Sequence, residues 1–262
     1  MGASCRVITF NIRRSACDDG ANRWEVRAPH VIQWLGQQQA HILCFQELMP
    51  DAARFLQQHL PGYEWAGCGR SAELEDEHCR IAWRGDHFAA TGWETFWLSD
   101  TPALPGSKFS KGCTVWPRIC TVVELYHRSS GRRFRVYNTH LDHACEYSKQ
   151  EGVRVLSQRI ARDHREEPLP YLLMGDFNAT PDSAVVRQIF DSAPAPLSDF
   201  SDLRGAPCDI TYHGYGLDAP CKIDYLLATS EWGLQQRYLG TYQCQGVYLS
   251  DHYPIIADLC WK

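Results

Sequence analysis

Compact apolar runs alternate along this chain with stretches whose apolar positions recur every three or four residues. Residues 6–10, 41–45, 79–83, 93–97, 119–125, 133–141, 170–174, 223–228 and 253–259 are short and rich in β-branched and aromatic side chains, which predicts strands. Ala28, Val31, Ile32 and Leu35 fall at i, i+3, i+4 and i+7, one face of a helix, with Pro29 assigned to its first turn. A second helix-like stretch covers residues 51–59, and Val153, Leu156 and Ile160 line the face of a third. Thr180 and Pro181 read as a hydroxyl cap followed by proline, the start of a fourth helix with Val186, Ile189 and Phe190 on its apolar side. Residues 99–117 are irregular, interrupted by Pro102, Pro105, Gly106 and Gly112.

Strands and helices alternate without a linker, the pattern of an α/β chain. The run Ala193-Pro194-Ala195-Pro196 is the best linker candidate, yet it is short and has chemically equipped segments on both sides. Residues 1–262 are therefore read as one domain. A hydrophobic content of 44% with 12% aromatics excludes collagen-like, coiled-coil and disordered chains. The net charge of −5 and pI near 6.1 leave no basic footprint, which argues against a tight sequence-specific DNA binder. An enzyme that meets phosphate through a metal ion stays open. The 12 cysteines contain no C-x-x-C pair, and Cys5, Cys44, Cys120 and Cys260 sit inside apolar runs. No long apolar segment precedes Asn11, and no run approaches the roughly 18 residues of a membrane span. The expectation is reduced cysteines in a cytoplasmic protein with no integral membrane segment.

Polar residues able to hold a metal or a phosphate recur where apolar runs end. The first run stops at Asn11, the second at Gln46 and Glu47, and the sixth leads into Asn138-Thr139-His140-Leu141-Asp142. The seventh leads into Asp176-Phe177-Asn178, Ile223 is followed by Asp224, and Ser250-Asp251-His252 precedes the last run. One aspartate at a strand end is usually a cap; six such endings in one chain call for a shared cause. Strand parity places Asn138, His140 and Asp142 on one face, opposite Tyr137, Thr139 and Leu141, and groups Asp176 with Asn178. Burying such faces unpaired costs several kcal/mol per group. They need a metal, a mutual hydrogen-bond network or a wet cleft.

The ordered set Phe10-Asn11, Gln46-Glu47, Thr139-His140-Leu141, Gly175-Asp176-Phe177-Asn178-Ala179, Ile223-Asp224-Tyr225 and Ser250-Asp251-His252-Tyr253-Pro254 resembles the endonuclease/exonuclease/phosphatase superfamily, and the segments 96–102, 117–121 and 213–216 resemble a bacterial branch of it. The resemblance implies a four-layer α/β/β/α sandwich of two packed mixed β-sheets flanked by helices. It implies Mg²⁺, with Mn²⁺ as a substitute, held by Glu47, Asn11 and Asp251. Asp176 would orient or deprotonate the attacking water, Asn178 would steer the phosphate, and His140 would stabilise charge on it. His252, oriented by Asp224, would contact the phosphate as well. Arg118, Asn11 and Asp142 are the expected substrate contacts. Gln46 is as suited to holding Glu47 as to touching substrate, and His143 is a weaker candidate than Asp142.

The resemblance implies a phosphodiesterase acting on nucleic acid or nucleotide by in-line attack of water. The alternatives are a phosphatase or sphingomyelinase-type hydrolase using the same residues, and a non-catalytic binding module. The acidic run Glu73, Glu75, Asp76 and Glu77 is expected to repel a duplex, against an abasic-site endonuclease. Lys108 and Lys111 are phosphate clamps only if the 99–117 loop folds over the site. Trp93, Phe96 and Trp97 fit either a stacking or membrane-touching surface or, more commonly, a strand with one core face.

Overall fold

The computed structural model describes residues 5–202, 209–216 and 218–262. Two six-stranded sheets face each other. The first runs in the order β11 (Trp232–Leu239), β14 (Ile255–Trp261), β1 (Cys5–Asn11), β2 (Ile42–Gln46), β4 (Ile81–Arg84), β3 (Tyr63–Ala66). The second runs β5 (Phe88–Trp97), β6 (Ile119–His127), β7 (Arg133–His140), β8 (Tyr171–Asp176), β10 (Asp224–Thr229), β9 (Leu197–Asp199). Each is mixed, because β1–β2 and β7–β8 are parallel and their other neighbours antiparallel. A small hairpin, β12 (Gln243–Cys244) and β13 (Val247–Tyr248), stands apart.

The period-two pattern explains the layers. Val7, Ile42, Cys44 and Ile81 of the first sheet meet Val123, Leu125, Phe134, Val136, Leu172 and Met174 of the second in the central core. The alternate residues Ile8, Phe10, Leu43 and Phe45 face outward onto α1 (Trp24–Gln38) and α2 (Pro50–His59). Tyr137, Leu173, Tyr225 and Leu227 face outward onto α3 (Glu146–Glu166) and α4 (Ala184–Asp191). Two helical layers thus cover two packed sheets, as the resemblance implied.

Two helix starts differ from the sequence expectation. α1 begins at Trp24, so Pro29 lies inside the helix rather than in its first turn. The burial of Trp24 and Arg27 carries the helix upstream, and Arg27 donates to the carbonyls of Ile12 and Leu249. Thr180-Pro181 forms a turn, closed by Ser183 N–H on the Thr180 carbonyl; Ser183 is the true cap, its Oγ accepting from Val186 N. Phe96 and Trp97 are buried in β5 while Trp93 is exposed, which is the core-face reading of that strand. β9 and β11 carry no clear apolar run; both are edge strands.

Candidate active site

Topology gathers the strand endings at one edge. The carboxyl ends of parallel β1 and β2 pair Asn11 with Gln46, and those of β7 and β8 pair His140 with Asp176. β10 and β14 run antiparallel to β8 and β1, so their starts, with Asp224 and the preceding Asp251-His252, reach the same edge. Asp224 sits directly across from Asp176.

The two sheets touch through polar atoms here. Asn11 Nδ2 donates to Asp176 Oδ2 at 3.0 Å and to Glu47 Oε1 at 3.1 Å. Behind them Gln46 Nε2 donates to Asn138 Oδ1 at 2.6 Å, and Asn138 Nδ2 donates to the Phe45 and Arg80 carbonyls. Gln46 and Asn138 are thus part of an inter-sheet network beneath the site. His252 Nδ1 is 2.8 Å from Asp224 Oδ2, while His252 Nε2 and His140 Nε2 lie 3.8 and 3.6 Å from Asp176 Oδ2. Asn178 N–H donates to Asp176 Oδ1, and its Nδ2 donates to the Leu141 carbonyl and His140 Nε2, leaving His140 protonated on Nδ1 when neutral. Asn178 reaches Asp176 through a left-handed backbone at φ 47°, not through strand parity. Glu47 is likewise left-handed at φ 55°. Non-glycine residues hold that conformation at a cost, which the surrounding contacts must override. At Gly175 a Cβ would lie 1.9 Å from the Thr139 carbonyl oxygen, so only glycine allows β8 this close to β7 before Asp176.

Burial sets the charges. The Asp176 carboxyl is pushed up by burial and then by Asp224, and Asp251 is raised by burial and by Glu47. Glu77, placed in the same wall, is pushed up by burial and by Glu47. Burial, then Arg118 and Arg70, hold His140 well below its ordinary value. Burial also opposes the charge on His252, but Asp224 outweighs it and raises that imidazole to about 10. Glu47, Asp176 and Asp251 line a cavity of about 640 Å³ together with His140, Asn178 and His252. Asp176 and Asp251, carboxyls driven toward neutrality, stand with the Glu47 oxygens as a donor set that fits a hard divalent cation. Asp176, Asp224 and His252 also place one ligand atom each within 4.8 Å of one another, a set able to hold an ion. His252 Nδ1 is engaged by Asp224, and Glu47 and Asp251 add further carboxylate oxygens to the same cavity wall.

Arg118 lines the cavity as expected; Asp142 does not. Its Oδ1 accepts from Ala144 and Cys145 N–H ahead of α3, and its Oδ2 accepts from Thr114, so it braces the turn that leads into α3. His143, ranked below it, lines the cavity and bonds Arg118. Lys108 turns to the Val115 carbonyl, and neither it nor Lys111 is in the wall; Trp116 of the same loop is. The acidic run is not a free repulsive loop, since Arg70 binds Asp76 and Glu77 at 3.0 and 2.9 Å. Sequence reasoning missed Arg13, Arg14, Arg70, Glu77 and Tyr212 in the wall, and Lys149, whose Nζ donates to the Asn178 carbonyl. Arg13 and Arg14 come two and three residues after Asn11, the one signal available for them.

The sequence model of the Endonuclease/Exonuclease/phosphatase family matches residues 8–252, from β1 to the His252 that closes the site. The chain belongs to that family. Members of the endonuclease/exonuclease/phosphatase family are phosphoester hydrolases. An endonuclease/exonuclease/phosphatase from Bacteroides vulgatus superposes with a TM-score of 0.88 at 25% identity, covering 99% of this chain and 100% of that one. The mannosyl-6-phosphatase of Bacteroides thetaiotaomicron shares the fold with a TM-score of 0.85 at 23% identity, covering 98% and 100%. Nocturnin of Drosophila melanogaster is 31% identical over 173 residues, 63% of this chain; the match spans only 26% of the fly protein. Among the described residues no helix is long and apolar enough to cross a membrane.

Proposed function

We propose that this protein is a Mg²⁺-dependent phosphoesterase, with Mn²⁺ as a substitute, that hydrolyses nucleotide phosphate esters, diesters included, by in-line attack of water. The observation that carries this reading is the bracket around Asp176: His140 and His252 stand 3.6 and 3.8 Å from one oxygen, and Asn178 N–H holds the other. Asp176 Oδ2 receives the proton of the attacking water. His252, kept protonated by Asp224, turns Nε2–H and its positive charge toward the phosphate, while Asn178, whose Nδ2 is spent on the Leu141 carbonyl and His140 Nε2, holds His140 in place beside Asp176. Glu47, Asp251 and the Asn11 side chain would hold the cation, which when bound supplies the charge that offsets the phosphate. Arg118 adds a fixed guanidinium to the wall.

Cavity size supports nucleotide-sized ligands over a duplex, because about 640 Å³ matches a small-molecule site. The family match and a fold relative named as a mannosyl-6-phosphatase support a phosphate-ester substrate. Residues from Arg13 to His252 meeting in one cavity support a single domain over 1–262, and the free state of the eleven described cysteines supports a reducing cytoplasmic compartment.

The test is a hydrolysis panel with Mg²⁺, Mn²⁺ and EDTA: mono- and dinucleotides, DNA, RNA, inositol phosphates, sugar phosphates and sphingomyelin. Metal-dependent turnover of nucleotides, lost in Asp176→Asn, is expected. Turnover in EDTA, full activity in that variant, or turnover of sphingomyelin alone overturns the reading.

A further inference from the structure

Arginines in the cavity wall are not equivalent. Arg13 is paired with Asp19 and Asp251, Arg14 with Glu77, and Arg70 with Asp76 and Glu77. Arg118 has no such partner: among the described residues no carboxylate oxygen lies within 4.0 Å of its guanidinium, although the residue is only 7% exposed. Its Nη2 is 2.9 Å from His143 Nδ1, and its Nε is buried without any hydrogen-bond partner. A buried cation whose only close partner is an imidazole is costly unless an anion joins it. Since His143 Nδ1 accepts that bond, the ring carries its proton on Nε2, a further donor.

Trp116, two residues upstream, is a large ring left 44% exposed in the same cavity wall. Its indole lies 5.3 Å from the Arg70 guanidinium carbon, a cation–π contact that fixes it. Arg70 is itself fixed: its carbonyl accepts from Trp97 Nε1, and Gly69 beside it leaves no room for a Cβ, which would fall 2.3 Å from the Glu75 carbonyl carbon. Arg70 Nη2 is also buried without a partner. The wall therefore combines a flat ring held by a cation with a guanidinium that no carboxylate touches directly, Glu77 and Asp142 acting on it only through space.

We propose that Trp116, Arg118 and His143 form a subsite for the non-reacting part of the substrate, a planar base stacked on the indole and a second phosphate on the guanidinium, which makes a nucleotide with two separate phosphate groups the preferred ligand. This inference rests on the nucleotide reading above and narrows it. The reacting phosphate sits among His140, Asn178 and His252, and Arg118 shares a crevice with His140, so both phosphates belong to one small molecule.

Binding to the full chain is measured by calorimetry in EDTA, so that no turnover intrudes, with three probes: adenosine 3′,5′-bisphosphate, adenosine 5′-monophosphate and fructose 1,6-bisphosphate. The adenosine bisphosphate is expected to bind at least tenfold tighter than the monophosphate. Arg118→Met should abolish that ratio and Arg118→Lys should restore part of it, which separates charge from folding. Trp116→Ala should weaken the adenosine bisphosphate at least tenfold and the fructose ligand less than threefold. Equal binding of the two adenosine probes, or an unchanged ratio in Arg118→Met, overturns the phosphate part. Equal weakening of both bisphosphates by Trp116→Ala overturns the base part. A parallel assay of metal-dependent hydrolysis on bis-p-nitrophenyl phosphate keeps the two readings apart: its failure counts against the phosphoesterase, not against the subsite.

Discussion

Asp224 Oδ2 meets His252 Nδ1 at 2.8 Å, with both side chains almost wholly shielded from solvent. That single bond fixes which nitrogen of the imidazole faces the cavity, and it places a negative charge where it favours the protonated ring. Asp224→Asn keeps the shape and removes the charge. Its kcat should fall by about 10²–10⁴-fold, the usual worth of a positioned proton donor. Steady-state kinetics beside a thermal melt checks this; a kcat within threefold of wild type would remove His252 from the mechanism.

Asn11 spans the gap between Glu47 and Asp176 with one amide nitrogen. Asn11→Ala leaves both carboxylates without that tether, and Mg²⁺ affinity should drop by about 10–100-fold, as when an orienting partner of a ligand is lost. Titrating activity against Mg²⁺ after EDTA treatment gives the midpoint, and Mn²⁺ binding followed by spin resonance gives it independently of turnover. An unmoved midpoint in both would separate Asn11 from the cation.

Phe134 is fully buried between the sheets, its ring 5.0 Å from that of Trp232 and 5.7 Å from that of Phe88. Phe134→Ala should cost about 3–5 kcal/mol, since so many rigid neighbours cannot collapse into the space. Urea unfolding with an unchanged m-value is the check. A loss under 1 kcal/mol would mean the central core repacks.

His41 lies at the opposite end of the sandwich from the cavity, its Nδ1 accepting the Arg6 N–H at 2.9 Å. Burial first, then His87, Arg84 and Arg6, depress it to about 4, so the folded state resists a proton that the unfolded chain takes up near 6.5. Between those values the unfolded state binds more protons, and stability therefore declines as pH falls from about 6.5 to 4. His41→Asn keeps an acceptor for Arg6 and cannot titrate there. Its melting temperature should depend less steeply on pH across that window. A slope equal to wild type would assign the acid sensitivity elsewhere.

Most of the sandwich was legible because its strands obey a simple alternation: Val7 and Ile8, or Leu172 and Leu173, take opposite faces of their sheets. The edge strand β11 escaped because Gln235, Gln236 and Arg237 break its apolar run where only one neighbour supports it. The floor of the site was legible for the same reason, since Asn11, Glu47, His140, Asp176, Asp224 and His252 each follow or precede a strand. The walls were not. Glu77 stood in an acidic stretch that reads as solvated until Arg70, seven residues away, folds back on it. Asp142 fitted the strand parity, yet β7 ends at His140, after which Asp142 braces a turn into α3. Loop residues answer to contacts distant in sequence, and no local period records them.

Asn11 belongs to one sheet and Asp176 to the other, so the bond between their side chains is a gauge of the clearance between the sheets. A cavity opened deep in the central core, far from any ligand, would be transmitted to that gauge as a shift in catalytic distance. The floor is therefore shared property of both sheets and resists piecemeal change. The rim around Arg70, Trp116 and Arg118 stands instead on two loops, between β3 and β4 and between β5 and β6, which can change without resetting the alignment below.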